Sequence, residues 1–126
     1  MLGHVNNVSF VQYLEQSRVE WMHHLMRQGL PRFDVVVVHL TMDYRKQIHF
    51  GQHVEVEVWP TKLGNTSFEF SYRVLADGEL CAEARSVQVG IDSQTMRPTP
   101  IPLEVRKLLE TALETTSETT PKVSLP

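Results

Sequence analysis

One change of hydrophobic period restricts the fold more than any other feature. From about Ser9 to Gln28 apolar residues recur every three or four positions, and after Pro31 they recur every two positions for most of the remaining chain. A 3.6-residue period belongs to a helix with one apolar face, and a two-residue period belongs to half-buried strands. The order is therefore one long helix first and a sheet afterwards.

In the helical segment Phe10, Leu14, Trp21 and Leu25, joined by Val11 and Met22, mark one apolar face, and the small Ser17 occupies the turn between. Tyr13 and Met26 widen the stripe, so something must wrap around it. Asn6, Asn7 and Ser9 offer side-chain oxygens to the first turn, and Ser9-Phe10-Val11-Gln12 has the spacing of a capping box. Gly29 and Pro31 end the segment. Twenty residues of helix are about 30 Å long, enough to cross a small domain.

Val35-Val36-Val37-Val38 is an apolar run of the kind found in a strand covered on both faces, and it continues to Tyr44. Val54, Val56 and Val58 alternate with His53, Glu55 and Glu57; Phe68, Phe70, Tyr72 and Val74 alternate with Ser67, Glu69, Ser71 and Arg73. Leu63-Gly64-Asn65 turns one strand into the next, and Asp77-Gly78 is a two-residue hairpin signal before a strand from Leu80 to about Ile91. Arg97-Pro98-Thr99-Pro100-Ile101-Pro102 forbids regular ladder pairing and leads into a short helix, Leu103 to about Glu114. These elements predict an α+β domain over residues 1–114, with four antiparallel strands curled around one helix, and a flexible, Thr-, Ser- and Pro-rich tail over 115–126. An open curled sheet leaves an edge that tends to pair with a second chain, so a homodimer is expected.

Composition removes several function classes. The chain has 126 residues, 41% hydrophobic, with 12 basic against 15 acidic side chains and a formal charge of −3. That balance argues against general nucleic-acid or anionic-membrane binding, which needs clustered Lys and Arg. With Cys81 as the single cysteine, no intrachain disulfide forms, which fits a reducing cytosol. No apolar run approaches the ~18 residues that span a bilayer. The histidines make no metal site: His23 and His24 point to different helix sides, and His49 and His53 do not converge. No metal or cofactor is expected, and Cys81 is expected in the core.

Gly3-His4-Val5-Asn6-Asn7, followed by Phe10, Tyr13, Glu15, Arg18 and Trp21, resembles the signature of the hot-dog fold acyl-CoA thioesterases related to 4-hydroxybenzoyl-CoA thioesterase. The likeness continues through Asp43-Tyr44-Arg45-Lys46, Phe50-Gly51, Val54 to Val58, Lys62-Leu63-Gly64 and Arg97-Pro98, and spans Leu2 to about Leu109. It implies a hydrophobic helix wrapped by an antiparallel sheet, paired subunits, and a thioester bound at the subunit interface near the start of the helix. It also implies that a backbone N–H at Asn7 polarises the thioester carbonyl, with a carboxylate acting as nucleophile or general base. Thioester hydrolysis passes through a tetrahedral oxyanion, which the free N–H groups and partial positive charge of a helix N-terminus suit.

The candidate catalytic residues are Gly3, His4, Asn6 and Asn7. The candidate substrate contacts are Tyr13, Asp43, Arg45, Lys46, Lys62, Ser67 and Ser86, with Arg45, Lys46 and Lys62 read as partners for the phosphates of coenzyme A and the two serines as partners for its pantetheine arm. Glu15 is read as an i,i+3 ion-pair partner of Arg18. The family's aspartate lies three residues before the glycine of the motif, just ahead of Met1, and the strand that precedes it is also absent. The expectation is that the natural protein begins upstream. Two other functions fit the pattern: a catalytically idle acyl-CoA or acyl-carrier binding module, which a missing aspartate would explain, and a hydratase, which would need its own Asp/His pair.

Overall fold

The computed structural model describes residues 7–27, 29, 33–114 and 122–125. Helix α1 spans Asn7–Met26, strands β1 to β4 span Asp34–Tyr44, Val54–Leu63, Ser67–Ala76 and Glu79–Ile91, helix α2 spans Leu103–Glu114, and a short β5 spans Lys122–Leu125. The strands form one antiparallel sheet in the order β1-β4-β3-β2-β5. Helix α1 begins at Asn7, two residues before the expected Ser9.

The two-residue period does what it predicts. Val54, Val56 and Val58 of β2, Phe68, Phe70, Tyr72 and Val74 of β3, and Ala82 and Ala84 of β4 all turn inward and are buried. Phe10, Leu14 and Ser17 of α1 lie against them, and Trp21 meets Phe70 edge to face at 4.9 Å. Helix α2 adds Val105 and Leu109 to the same core. The buried stripe of α1 is narrower than its sequence suggests, because Val11 and Val19 are exposed.

Turn chemistry sets the register. Asp77 and Gly78 both have positive φ, 49° and 82°, as a two-residue hairpin turn requires. The Gly64 amide donates to the Ser67 carbonyl at 2.7 Å, and Arg106 of α2 donates to the Gly64 and Asn65 carbonyls at 2.6 and 2.9 Å. The proline-rich stretch makes one isolated bridge, Ile91 to Pro98.

Two expectations change. The Val35–Val38 run is not covered on both faces: β1 is an edge strand, and Val37, Val38 and Leu40 are 42%, 58% and 38% exposed. A register shift between Val37 and His39 leaves Val38 without a cross-strand partner. Beyond the four expected strands, Lys122–Leu125 pairs antiparallel with Val54–Glu57 and makes the sheet five-stranded rather than four-stranded. Composition counts only what a segment buries, whereas an open strand edge also rewards backbone pairing. Residues 115–121 and 126 lie outside the described residues.

Candidate active site at the start of helix α1

Cross-strand register fixes where each candidate stands. Phe10 packs edge to face on Tyr44 at 5.2 Å and on Tyr13 at 6.2 Å, so α1 starts beside the C-terminal end of β1. Trp21, fourteen residues after Asn7, has already reached Phe70 near the middle of β3. No acidic residue stands in the first turn of α1, and its last turn holds His23 and His24. The positive end of the helix dipole therefore meets no counter-charge from its own first turn, which favours an anion there. Asn7 is the first residue of that turn. Gly3, His4 and Asn6 lie outside the described residues.

Arg45 and Lys46 follow directly from β1, so they share this end of the sheet. Their amides both donate to the Cys81 carbonyl, at 2.8 and 3.1 Å, which folds the chain over the start of β4. Each cation already has an acidic partner: Arg45 Nη2 lies 2.6 Å from Glu83, and Lys46 Nζ lies 2.6 Å from Glu79. The hydrogen bond to Glu79, and then its charge, push the Lys46 ammonium above its ordinary range. Both pairs are exposed, so they are screened and contribute little to stability.

The other candidates stand elsewhere within the chain. Tyr44 shares a row with Ala82 and Val74, whereas Lys62 pairs with Glu69. Five residues of β3 separate those rows, about 17 Å at ~3.3 Å per residue. Ser67 begins β3 and lies about 23 Å from the same row by the same measure. Asp43 lies opposite Glu83 on the sheet face turned away from α1. There it lines an open groove of about 260 Å³ with Thr41, Arg45, Trp59, Ser71 and Arg85.

Ser86 is fully buried: its hydroxyl is 2.5 Å from that of Tyr72, and it also bonds Gln88. The expected Glu15–Arg18 ion pair is absent. Arg18 reaches instead to the Tyr72 hydroxyl at 3.3 Å. One signal for this buried polar cluster was legible: Ser86 and Gln88 continue the inward alternation of Ala82 and Ala84, which places two polar side chains on a core face. Among the described residues no three His, Cys, Asp or Glu side chains gather as a metal site, and no helix is long and apolar enough to cross a membrane.

Comparison with known proteins identifies the fold and the family. The model of the thioesterase-like superfamily matches residues 1–109. The 1,4-dihydroxy-2-naphthoyl-CoA hydrolase of Synechococcus elongatus is 28% identical over 74 residues, which are 59% of this chain and 54% of that protein. The chain thus spans about half the length of that relative. The acyl-CoA thioester hydrolase YbgC of Escherichia coli O6:H1 is 29% identical over 108 residues, covering 82% of this chain and 81% of that one. The solved structure of a predicted thioesterase from Bacillus stearothermophilus superposes with a TM-score of 0.79 at 33% identity, over 88% of this chain and 84% of that one. A Thermus thermophilus thioesterase solved with coenzyme A and zinc gives 0.76 at 30% identity, over 89% and 83%. The α+β sheet packed on one long helix is thus the hot-dog fold, and the chain belongs to the thioesterase-like superfamily.

Proposed function

We propose that the chain hydrolyses an acyl-CoA thioester to the free acid and coenzyme A, with the carbonyl polarised by backbone N–H groups at the start of α1. The observation that carries this reading is the helix N-terminus itself. Its first turn has no acidic residue, aromatic rings of Phe10, Tyr13 and Tyr44 lie beside it, and Arg45 and Lys46 follow at the same end of the sheet. The superfamily match over residues 1–109 and the thioester hydrolases among the relatives support it. The carbonyl oxygen gains negative charge as the tetrahedral intermediate forms, and fixed N–H donors stabilise that charge more than they stabilise the ground state. His4 and Asn6 are the side chains proposed to position water or substrate, and Gly3 is proposed with them as part of the same catalytic motif. The coenzyme A phosphates are assigned to Lys46 and to Arg45, which stands at the same end of the sheet but pairs with Glu83 on the face turned away from α1. Lys62 and Ser67, at the other end of one chain, belong to the site only if a second subunit brings them to it.

The working unit is proposed to be a cytosolic homodimer formed through β1. Its free edge carries the exposed Val37, Val38 and Leu40, while the opposite edge is covered over Val54–Glu57 by β5.

The backbone role of Asn7 is testable because proline is tolerated in the first turn of a helix and lacks the N–H. Asn7→Pro is expected to lower kcat about 10²–10³-fold, the cost of losing one oxyanion donor. Asn7→Ala keeps the N–H and is expected to stay much nearer wild type. The measurement is thiol release from short, medium and aromatic acyl-CoAs. Equal rates for the proline and alanine variants would remove the backbone role; tight acyl-CoA binding with no thiol release from wild type would make the chain a binding module.

A further inference from the structure

The inward face of β4 reads Ala82, Ala84, Ser86, Gln88, and the two polar members are fully buried. Their hydrogen bonds form a chain with one direction. A guanidinium only donates, so Arg18 Nη1 at 3.3 Å leaves the Tyr72 hydroxyl free to donate onward to Ser86 Oγ at 2.5 Å. Ser86 then donates to Gln88 Oε1, and Gln88 Nε2 donates to the Phe68 carbonyl at 3.3 Å. Among the described residues, Arg18 to Tyr72 is the one hydrogen bond from an α1 side chain to the sheet. The ring contacts between them, Phe10 on Tyr44 and Trp21 on Phe70, are apolar packing without a hydrogen bond.

The position of this link on the helix matters. Arg18 stands eleven residues after Asn7, about 16 Å along the axis. A tilt of about 5° about Arg18 moves the first turn by about 1.4 Å. A misplacement of about 1 Å at a reacting centre can cost ~10²-fold in rate. We propose that Arg18 and Tyr72 are positioning residues: with Ser86 and Gln88 behind them they fix the tilt and rotation of α1 on the sheet, and so place the N–H groups of its first turn. This rests on the thioesterase reading for its catalytic consequence, but the seating of the helix can be measured apart from it.

The test uses the full chain with Tyr72→Phe, Arg18→Met and Arg18→Lys. Phenylalanine removes only the hydroxyl, methionine keeps the aliphatic stem without the donor, and lysine keeps a donor. Tyr72→Phe and Arg18→Met are expected to lower kcat about tenfold with KM within about twofold of wild type. Arg18→Lys is expected to recover most of that loss. Amide hydrogen exchange is expected to accelerate in the first half of α1 and stay unchanged in β2 and β3. The proposal is overturned if kcat and α1 exchange both match wild type, or if exchange accelerates equally through helix and sheet, which marks a general loss of stability. If wild type releases no thiol from any acyl-CoA, the proposed function fails by itself. The exchange pattern then decides the seating of α1: acceleration confined to the helix supports it, and any other pattern removes it.

Discussion

Cys81 shows how the environment of a single residue sets its chemistry. The side chain is buried at the start of β4, and burial pushes its thiol above the ordinary range because the thiolate cannot keep its hydration. The nucleophile is the thiolate. Folded protein at pH 8 is therefore expected to be inert to an aromatic disulfide reagent, with the single thiol reacting on addition of denaturant. The same shift has a sign in stability. Between the ordinary thiol value of about 8.5 and the raised folded value, the unfolded chain binds fewer protons, so stability falls as pH rises through that window and is unaffected below it. Urea midpoints at pH 7 and 9.5 are expected to differ less for Cys81→Ala than for wild type. At this scale the sequence was partly legible. An Ala-rich strand placed Cys81 in the core, and the Asp-Gly pair placed residues 77 and 78 in a tight turn, because both follow from local composition. Arg18 was misassigned to Glu15 because the i,i+3 rule sees only the helix, whereas its actual partner lies 54 residues away.

Elements were the most legible level, since periods of 3.6 and 2 are properties of the chain rather than of its neighbours. The start of α1 and the environment of β1 were less so. Four consecutive valines read as a strand buried on both sides, but β1 has a neighbour on one side only and its exposed valines stand near a free edge. The sequence pattern and the structure agree if that edge is covered by a second copy. Val38, left without a cross-strand partner by the register shift, is the most exposed of the three apolar residues there. Inward or edge lysines are a natural device against strand pairing. Val38→Lys is thus expected to lower the mass measured by light scattering from a dimer to the 14.5 kDa of one chain, with far-ultraviolet circular dichroism preserved. An unchanged dimer mass would move the interface away from this edge.

At the scale of the whole molecule, the sheet treats its two edges differently. Beyond the stretch covered by β5, the β2 edge carries Pro60, which has no N–H, and a register shift between Pro60 and Lys62; both discourage further pairing. Among the described residues the outer strands are β1, eleven residues long, and β5, four residues long, so β1 offers the longer edge and a closed pair of chains through it follows more naturally than an open fibre of sheets. The role of β5 was not legible in composition, because Lys-Val-Ser-Leu has too short an alternation to stand out, and its partner strand lies more than sixty residues earlier. Its contribution is testable through the backbone alone. Val123 pairs with Val56, and proline at position 123 removes an N–H and fixes φ at a value poorly suited to an antiparallel ladder. Val123→Pro is expected to raise amide exchange over Val54–Glu57 at least tenfold and to lower Tm by a few degrees, corresponding to about 1 kcal/mol. Exchange in β3 and β4, with which β5 does not pair, is expected to stay as in wild type. If Val54–Glu57 exchange is the same in both proteins, β5 does not protect this edge in solution, and the β2 edge would then be as open to a second chain as β1.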